Sequence, residues 1–298
     1  MRRLQVINGY RQARDLLGAL RWRWRRSREC REAVRRCVDS PSPPVLVYLT
    51  AKVGSSTVVS ALEGAGQNVF QVHLMNPDNI RALLSKVRKK GLVGFRMDAD
   101  ILGSALFEGI IKPGLRTKII TLVREPIGRN VSFYFQNLDV LWETADAHDN
   151  VELSKLLDGF QDKFDHRRGL NWFDIEFKPV LGVDVYEHEF PRDAGHLRID
   201  AGRYDILIIR SDLEDGLKAK CIGEFLGVEG LSLVPKNVSS GKRYGDAYRK
   251  FLDALELTES YVNDMLGSKY TRHFFTPEEV CALRAKWLNN GGAKDTPA

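Results

Sequence analysis

Only four cysteines occur in 298 residues, at positions 30, 37, 221 and 281. They form neither a CxxC pair nor a dense framework, so disulfides and a structural zinc site are not expected. Long apolar runs are missing as well: no stretch reaches the roughly 20 residues needed to cross a bilayer. The N-terminus is rich in arginine but lacks the apolar core of a secretory signal. Internal repeats are absent, and an apolar content of 43% suits a globular core. Together these features predict a globular protein in a reducing cytoplasm, long enough for one large α/β domain or two small ones, with no internal repeat to suggest splitting it.

The basic residues are crowded rather than spread. Between Met1 and Asp39 arginines outnumber acids, most densely in RWRWRRSREC from Arg21 to Cys30. As a helix, this segment places Leu16, Leu17, Leu20, Trp24 and Val34 on an interrupted apolar stripe, suited to an anionic membrane surface or an acidic polymer. A solvated, partly disordered tail is the alternative reading. Ser40 to Pro44, SPSPP, marks a linker. The expected organisation is a basic segment over 1–43, an α/β domain over 44–290 and a disordered tail over 291–298.

Two segments carry the chemistry. Val45 to Leu49 reads as a buried parallel strand, followed by AKVGSST and a helix over Ser56 to Leu62. Backbone N–H groups of Gly54, Ser55, Ser56 and Thr57 then face an anion at a helix N-terminus. Lys52 adds charge and the hydroxyls add donors. Lys52 precedes Gly54, whereas the usual ATP or GTP loop places its lysine after the last glycine, which argues against such a site. Lys118 to Val123 is a further strand ending at Arg124, and Pro126 starts a helix carrying Arg129, Ser132 and Tyr134. Both turns fall at the carboxyl ends of strands, where open parallel sheets collect ligands. Taken singly, each segment is also readable as an ordinary strand-to-helix turn or a surface arginine.

Jointly they resemble the sulfotransferases that use 3′-phosphoadenosine 5′-phosphosulfate (PAPS). In that family a KxGSST loop binds the 5′-phosphosulfate and an RxPxxRxxSxY segment binds the 3′-phosphate. Here the first pattern stands as Lys52, Gly54, Ser55, Ser56 and Thr57, with Val53 inside it. The second stands as Arg124, Pro126, Arg129, Ser132 and Tyr134. YDILIIRSDL, from Tyr204 to Leu213, is like that family's late strand. NWFDIEFKPVLGVDVY, from Asn171 to Tyr186, resembles a bacterial sulfotransferase-like group linked to capsular polysaccharide synthesis. The resemblance spans roughly residues 44–287. It implies a P-loop-NTPase-like parallel sheet flanked by helices, the sulfotransferase fold, with a helical C-terminus.

It also implies sulfuryl transfer from PAPS, as co-substrate and without a metal, to a hydroxyl of a polysaccharide or glycolipid. Lys52 is the candidate for neutralising the leaving oxygen, and His73, in VFQVHL, for the general base. Glu63, Asp98 and His188 compete with His73, which is equally readable as a core histidine. The sequence departs from the family's better-studied members in GFRMDAD, which has no histidine, and in lacking the late RKG signature. The basic loop KNVSSGKRY, with Ser240, Gly241 and Lys242, could close over the 3′-phosphate instead. Trp172, Phe173, Tyr186 and Tyr204 offer ring faces for a sugar or are core, and Arg167, Arg168 and Lys178 are attractors of an acidic glycan or solvated charges. Two other functions fit the composition: a nucleotide-dependent kinase with an atypical phosphate loop, and a non-catalytic nucleotide-binding module docked on an anionic surface through its N-terminus. Nucleic acid is not the favoured partner.

Further strands are expected over Val69 to Leu74 and Leu92 to Arg96, with a helix over Pro77 to Lys90 between them. Another helix is expected over Asn150 to Phe164, and irregular structure or a hairpin around Pro191 and Gly195. Thr276, Pro277 and Glu279 form a capping box for a last helix that packs through Val280, Leu283 and Trp287.

Overall fold

A computed structural model describes residues 2–89, 98–234 and 244–289. Its centre is a five-stranded sheet in the order β2-β1-β3-β5-β4. The strands are β1 (Val45–Tyr48), β2 (Val69–Val72), β3 (Thr117–Val123), β4 (His196–Ala201) and β5 (Tyr204–Arg210). The first three and β5 are mutually parallel, and β4 is an antiparallel edge. The parallel strands β1, β3 and β5 are apolar along nearly their whole length because both faces are covered. One face meets a cluster containing Leu46, Tyr48, Ile119 and Ile206. The other meets one containing Val47, Ile120, Leu207 and Ile222. This is an α/β architecture with helices on both sides of a mostly parallel sheet.

The sheet departs from the expected repetition of βα units at its far edge. Instead of irregular structure, residues 196–201 form β4, which turns into β5 through Gly202 and Arg203. Gly202, at φ +71°, supplies the left-handed residue that a two-residue hairpin loop needs. The hairpin bend therefore lies at Gly202, not around Pro191 and Gly195. The expected strand over Leu92–Arg96 and the loop carrying Ser240, Gly241 and Lys242 lie outside the described residues.

The helices that position the site are α2 (Ser55–Gly64), α3 (Pro77–Lys89), α4 (Asp98–Leu106) and α5 (Pro126–Gln136). Ahead of them runs α1 (Arg2–Val38). Its second half is a packed element rather than a solvated tail: Cys30, Val34 and Cys37 are buried at i, i+4, i+7 spacing. Two details fix it. Arg23 donates to Asp100 of α4 at 2.6 Å. Val34 presses on Gly109, in the π-turn that continues α4, where a Cβ would find no room. The capping box forms as expected, with the Thr276 N–H donating to Glu279 at 2.8 Å and the Glu279 N–H to Thr276 Oγ1 at 3.2 Å. Trp287 is buried, and Val280 and Leu283 pack beside it. None of the four cysteines is in a disulfide.

Candidate functional site

Strand order determines where a ligand fits. From β1 the chain moves outward to β2 on one side, and β3 pairs with β1 on the other, so the topological switch point lies between β1 and β3. Both candidate segments leave the sheet at that point, one after each strand. They touch: Arg124 Nη1 donates to the Lys52 carbonyl at 3.2 Å.

The loop after β1 holds two left-handed residues, Lys52 at φ +71° and Gly54 at φ +84°. For glycine this is free, whereas for lysine it costs on the order of 1–2 kcal/mol. Such strained backbone clusters at ligand sites, and alternating handedness turns successive N–H groups into an anion-binding nest. Val53, between them, is fully buried, so only its backbone faces the loop. Gly54 is the N-cap of α2 and brings no capping side chain to the first N–H groups of that helix. By contrast α5 is closed by its own N-cap: Glu125 accepts from the Ile127 and Gly128 N–H groups at 2.9 and 2.7 Å. Burial pushes the Glu125 carboxyl up.

Arg129 is the most unusual group present. It is 4% exposed and reaches Thr50 Oγ1 at 3.4 Å, at the end of β1, with Asn130 Oδ1 on its other side. No carboxylate pairs with it among the described residues. Desolvation, with a contribution from the neighbouring Arg124 charge, pulls it down to about 10. Besides the charges of Arg124 and Glu125, it is flanked by the neutral Tyr270 and Tyr261. Tyr270 donates to the Arg124 carbonyl at 3.0 Å and accepts from the Arg124 N–H at 3.1 Å. His166 donates from Nε2 to the Phe160 carbonyl at 2.6 Å, so its Nδ1 accepts from Tyr261 at 2.9 Å, the uncharged tautomer that burial favours. Gly169 makes room for the guanidinium, since a Cβ there would fall on its carbon.

His73 stands one strand over, just past β2. Its Nδ1 bonds to the Leu49 carbonyl at 2.9 Å, which fixes the proton on that nitrogen and leaves Nε2 as acceptor. Burial lowers its pKa, so the ring is neutral near pH 7. Trp172 donates to the His73 carbonyl at 3.1 Å. Glu176 braces the following turn: it accepts from Tyr48 at 2.8 Å, from the Met75 and Asn76 N–H groups at 2.5 and 2.7 Å, and from Asn79 at 2.6 Å. Gly103 lets α4 lie against the Leu74 carbonyl.

Other expected site residues are placed differently. Ser55 is buried and its hydroxyl accepts from Gln71 at 2.7 Å, while Ser56 and Thr57 are half-buried in the first turn of α2. Ser132 is buried in α5, and no hydrogen bond joins its hydroxyl to Arg124 or the loop among the described residues. Tyr134 is a core residue whose hydroxyl donates to the Leu156 carbonyl at 2.8 Å. Glu63 and His188 are exposed, and Asp98 opens α4. Trp172, Phe173 and Tyr204 are buried core rings rather than sugar platforms. Tyr186, with Lys269 3.7 Å above its ring, instead lines a cavity of about 300 Å³ together with Arg167, Asn171, Asp174 and Tyr270. Tyr270 is thus a wall shared by this cavity and the cradle around Arg124. Lys178 is tied to Asp184 at 2.6 Å, and Arg167 to Asp264 at 2.5 Å. Arg210, at the end of β5, is held by Asp212 and Glu279, each at 2.6 Å, so it joins the last helix to the sheet.

Sequence reading missed Thr50, Gly169, Glu176, Tyr261 and Tyr270. Only Thr50 carried a signal, its place at the end of a strand. Residues 145–276 match the NKWYS family, described as "Putative capsular polysaccharide synthesis protein". That stretch supplies Gly169, Glu176, Tyr261 and Tyr270, β4 and β5, whereas Lys52, His73, Arg124 and Arg129 lie before it. No curated protein and no solved structure matches the chain.

Proposed function

We propose that this chain is a PAPS-dependent sulfotransferase acting on a hydroxyl of a carbohydrate acceptor in polysaccharide synthesis. One observation carries the reading: the Arg124 guanidinium bonds to the Lys52 carbonyl across the switch point, so the two segments meet where one nucleotide with phosphates at both ends of its ribose would touch both. Buried Arg129, beneath Thr50 and with no carboxylate partner among the described residues, supports it, because a desolvated cation favours a bound anion over water. The link to capsular polysaccharide synthesis supports a sugar acceptor, as does the polar cavity behind Tyr270.

In this reading the loop N–H groups and Lys52 hold the 5′-phosphosulfate, and Arg124 with Arg129 takes the other phosphate. The acceptor oxygen attacks sulfur in line while the bond from sulfur to the bridging phosphate oxygen breaks. Lys52 balances the charge that develops on that oxygen. His73 Nε2 accepts the acceptor's hydroxyl proton, with Leu49 holding the opposite nitrogen in the productive tautomer.

Calorimetry with 3′-phosphoadenosine 5′-phosphate (PAP), ATP and AMP, in the absence of metal, tests the donor. PAP is expected to bind at least tenfold tighter than AMP, and equal affinities reject the assignment. With labelled PAPS and a panel of glycans, Lys52→Ala is expected to reduce turnover far more than PAP affinity; unchanged turnover removes Lys52 from the chemistry.

A further inference from the structure

Between Leu17 and Trp24, α1 presents a face that no element among the described residues covers. Leu17, Leu20 and Trp24 are 56%, 54% and 65% exposed, although α1 buries Cys30, Val34 and Cys37 along the adjoining face. The spacing i, i+3, i+7 puts the three on one stripe. Arg21, Arg25 and Arg28 flank it and are exposed. Residues 17–38 carry eight arginines and two glutamates, a surplus of six that equals the formal net charge of the whole chain, so the remaining residues balance. The Arg23–Asp100 pair and the Val34–Gly109 contact hold the adjoining face on α4 and the π-turn that continues it, which leaves this stripe exposed.

We infer that this face of α1 docks the protein on an anionic lipid bilayer. Charge complementarity selects an anionic partner, and the apolar trio selects a bilayer over a dissolved polyanion. Leucine and tryptophan side chains gain by entering the headgroup boundary, where tryptophan's ring is favoured, whereas a hydrated polymer offers them nothing. No helix among the described residues is long and apolar enough to cross a membrane, so the contact is peripheral.

Vesicle flotation of the full chain tests this, using phosphatidylcholine vesicles with and without phosphatidylglycerol. Binding is expected to be at least tenfold stronger to the anionic vesicles. The L17S/L20S/W24S variant is expected to lose at least tenfold of that binding with an unchanged melting temperature. R21Q/R25Q/R28Q is expected to lose roughly fivefold per arginine and most of the salt dependence. Equal binding to both vesicle types overturns the inference, as does full retention by the serine variant. Heparin binding without vesicle binding overturns it in favour of a soluble polyanion.

Discussion

Replacing Arg129 with methionine separates the two things a buried arginine can do. Its guanidinium is desolvated, pairs with no carboxylate among the described residues, and is pulled down to about 10. At about 1.4 kcal/mol per tenfold change in proton affinity, that is a destabilisation of roughly 3 kcal/mol carried by the ligand-free protein. The sign follows from linkage: the folded state binds the proton less tightly than the unfolded chain, so the penalty applies in full at every pH below about 10 and is relieved only above it. Methionine fills much of the same space without charge, and such swaps are often neutral or stabilising. The loss of the bond to Asn130 costs about 1 kcal/mol in return. Urea unfolding at pH 7 without nucleotide is therefore expected to show Arg129→Met about 2 kcal/mol more stable than the parent. PAP should bind it about 2–3 kcal/mol more weakly, roughly 30- to 150-fold, because a charge-assisted contact to phosphate is gone. A variant that loses more than about 2 kcal/mol of stability and keeps its PAP affinity would refute the argument and make Arg129 a structural residue.

Gly169→Ala tests the same cradle without touching a charge: the added Cβ displaces the Arg129 head, so PAP affinity measured by calorimetry should fall at least tenfold, and an unchanged Kd would rule out that contact as a determinant. The pH profile of kcat/KM should lose activity only on the acid side, below the ordinary histidine value, because burial lowers the pKa of His73 and protonation removes the base. In His73→Asn that acid limb should vanish along with most of the rate. Glu176→Ala leaves the Met75 and Asn76 N–H groups without their acceptor in the core and the Tyr48 hydroxyl with only the carbonyl of residue 176, so thermal or urea unfolding should register a loss of about 2–5 kcal/mol; a change below 1 kcal/mol would mean that the turn after His73 is braced by something else.

Strands β1, β3 and β5 were legible because burial on both faces writes them as unbroken apolar runs. Helix α5 announced itself through Pro126, and the last helix through its capping box. Strand β4, HLRIDA, was not legible: it is an edge, half-exposed and studded with charge, and its place is set by pairing with β5 rather than by its own pattern. The N-terminal helix is legible as an apolar stripe through Leu16, Leu17, Leu20, Trp24 and Val34, but of these Val34 joins Cys30 and Cys37 on the face that anchors it, while Leu17, Leu20 and Trp24 stay exposed. For the site, Lys52 and Arg124 were visible as local motifs. Gly169 and Glu176 were not, because each acts on a partner about 40 to 100 residues away, and no local spacing encodes that a glycine must clear a guanidinium or a glutamate must collect donors.

The bond between Arg23 and Asp100 bears on any shortening of the chain. Asp100 is 2% exposed, and one of its oxygens already lacks a partner among the described residues. Trimming the protein back to Pro44 would strip away its counter-cation together with the thiol and valine side chains that cover α4. A shortened protein would then fail in solubility or folding for reasons unrelated to its lost positive charge, and swapping individual outward side chains is the cleaner way to ask what the amino-terminal helix is for.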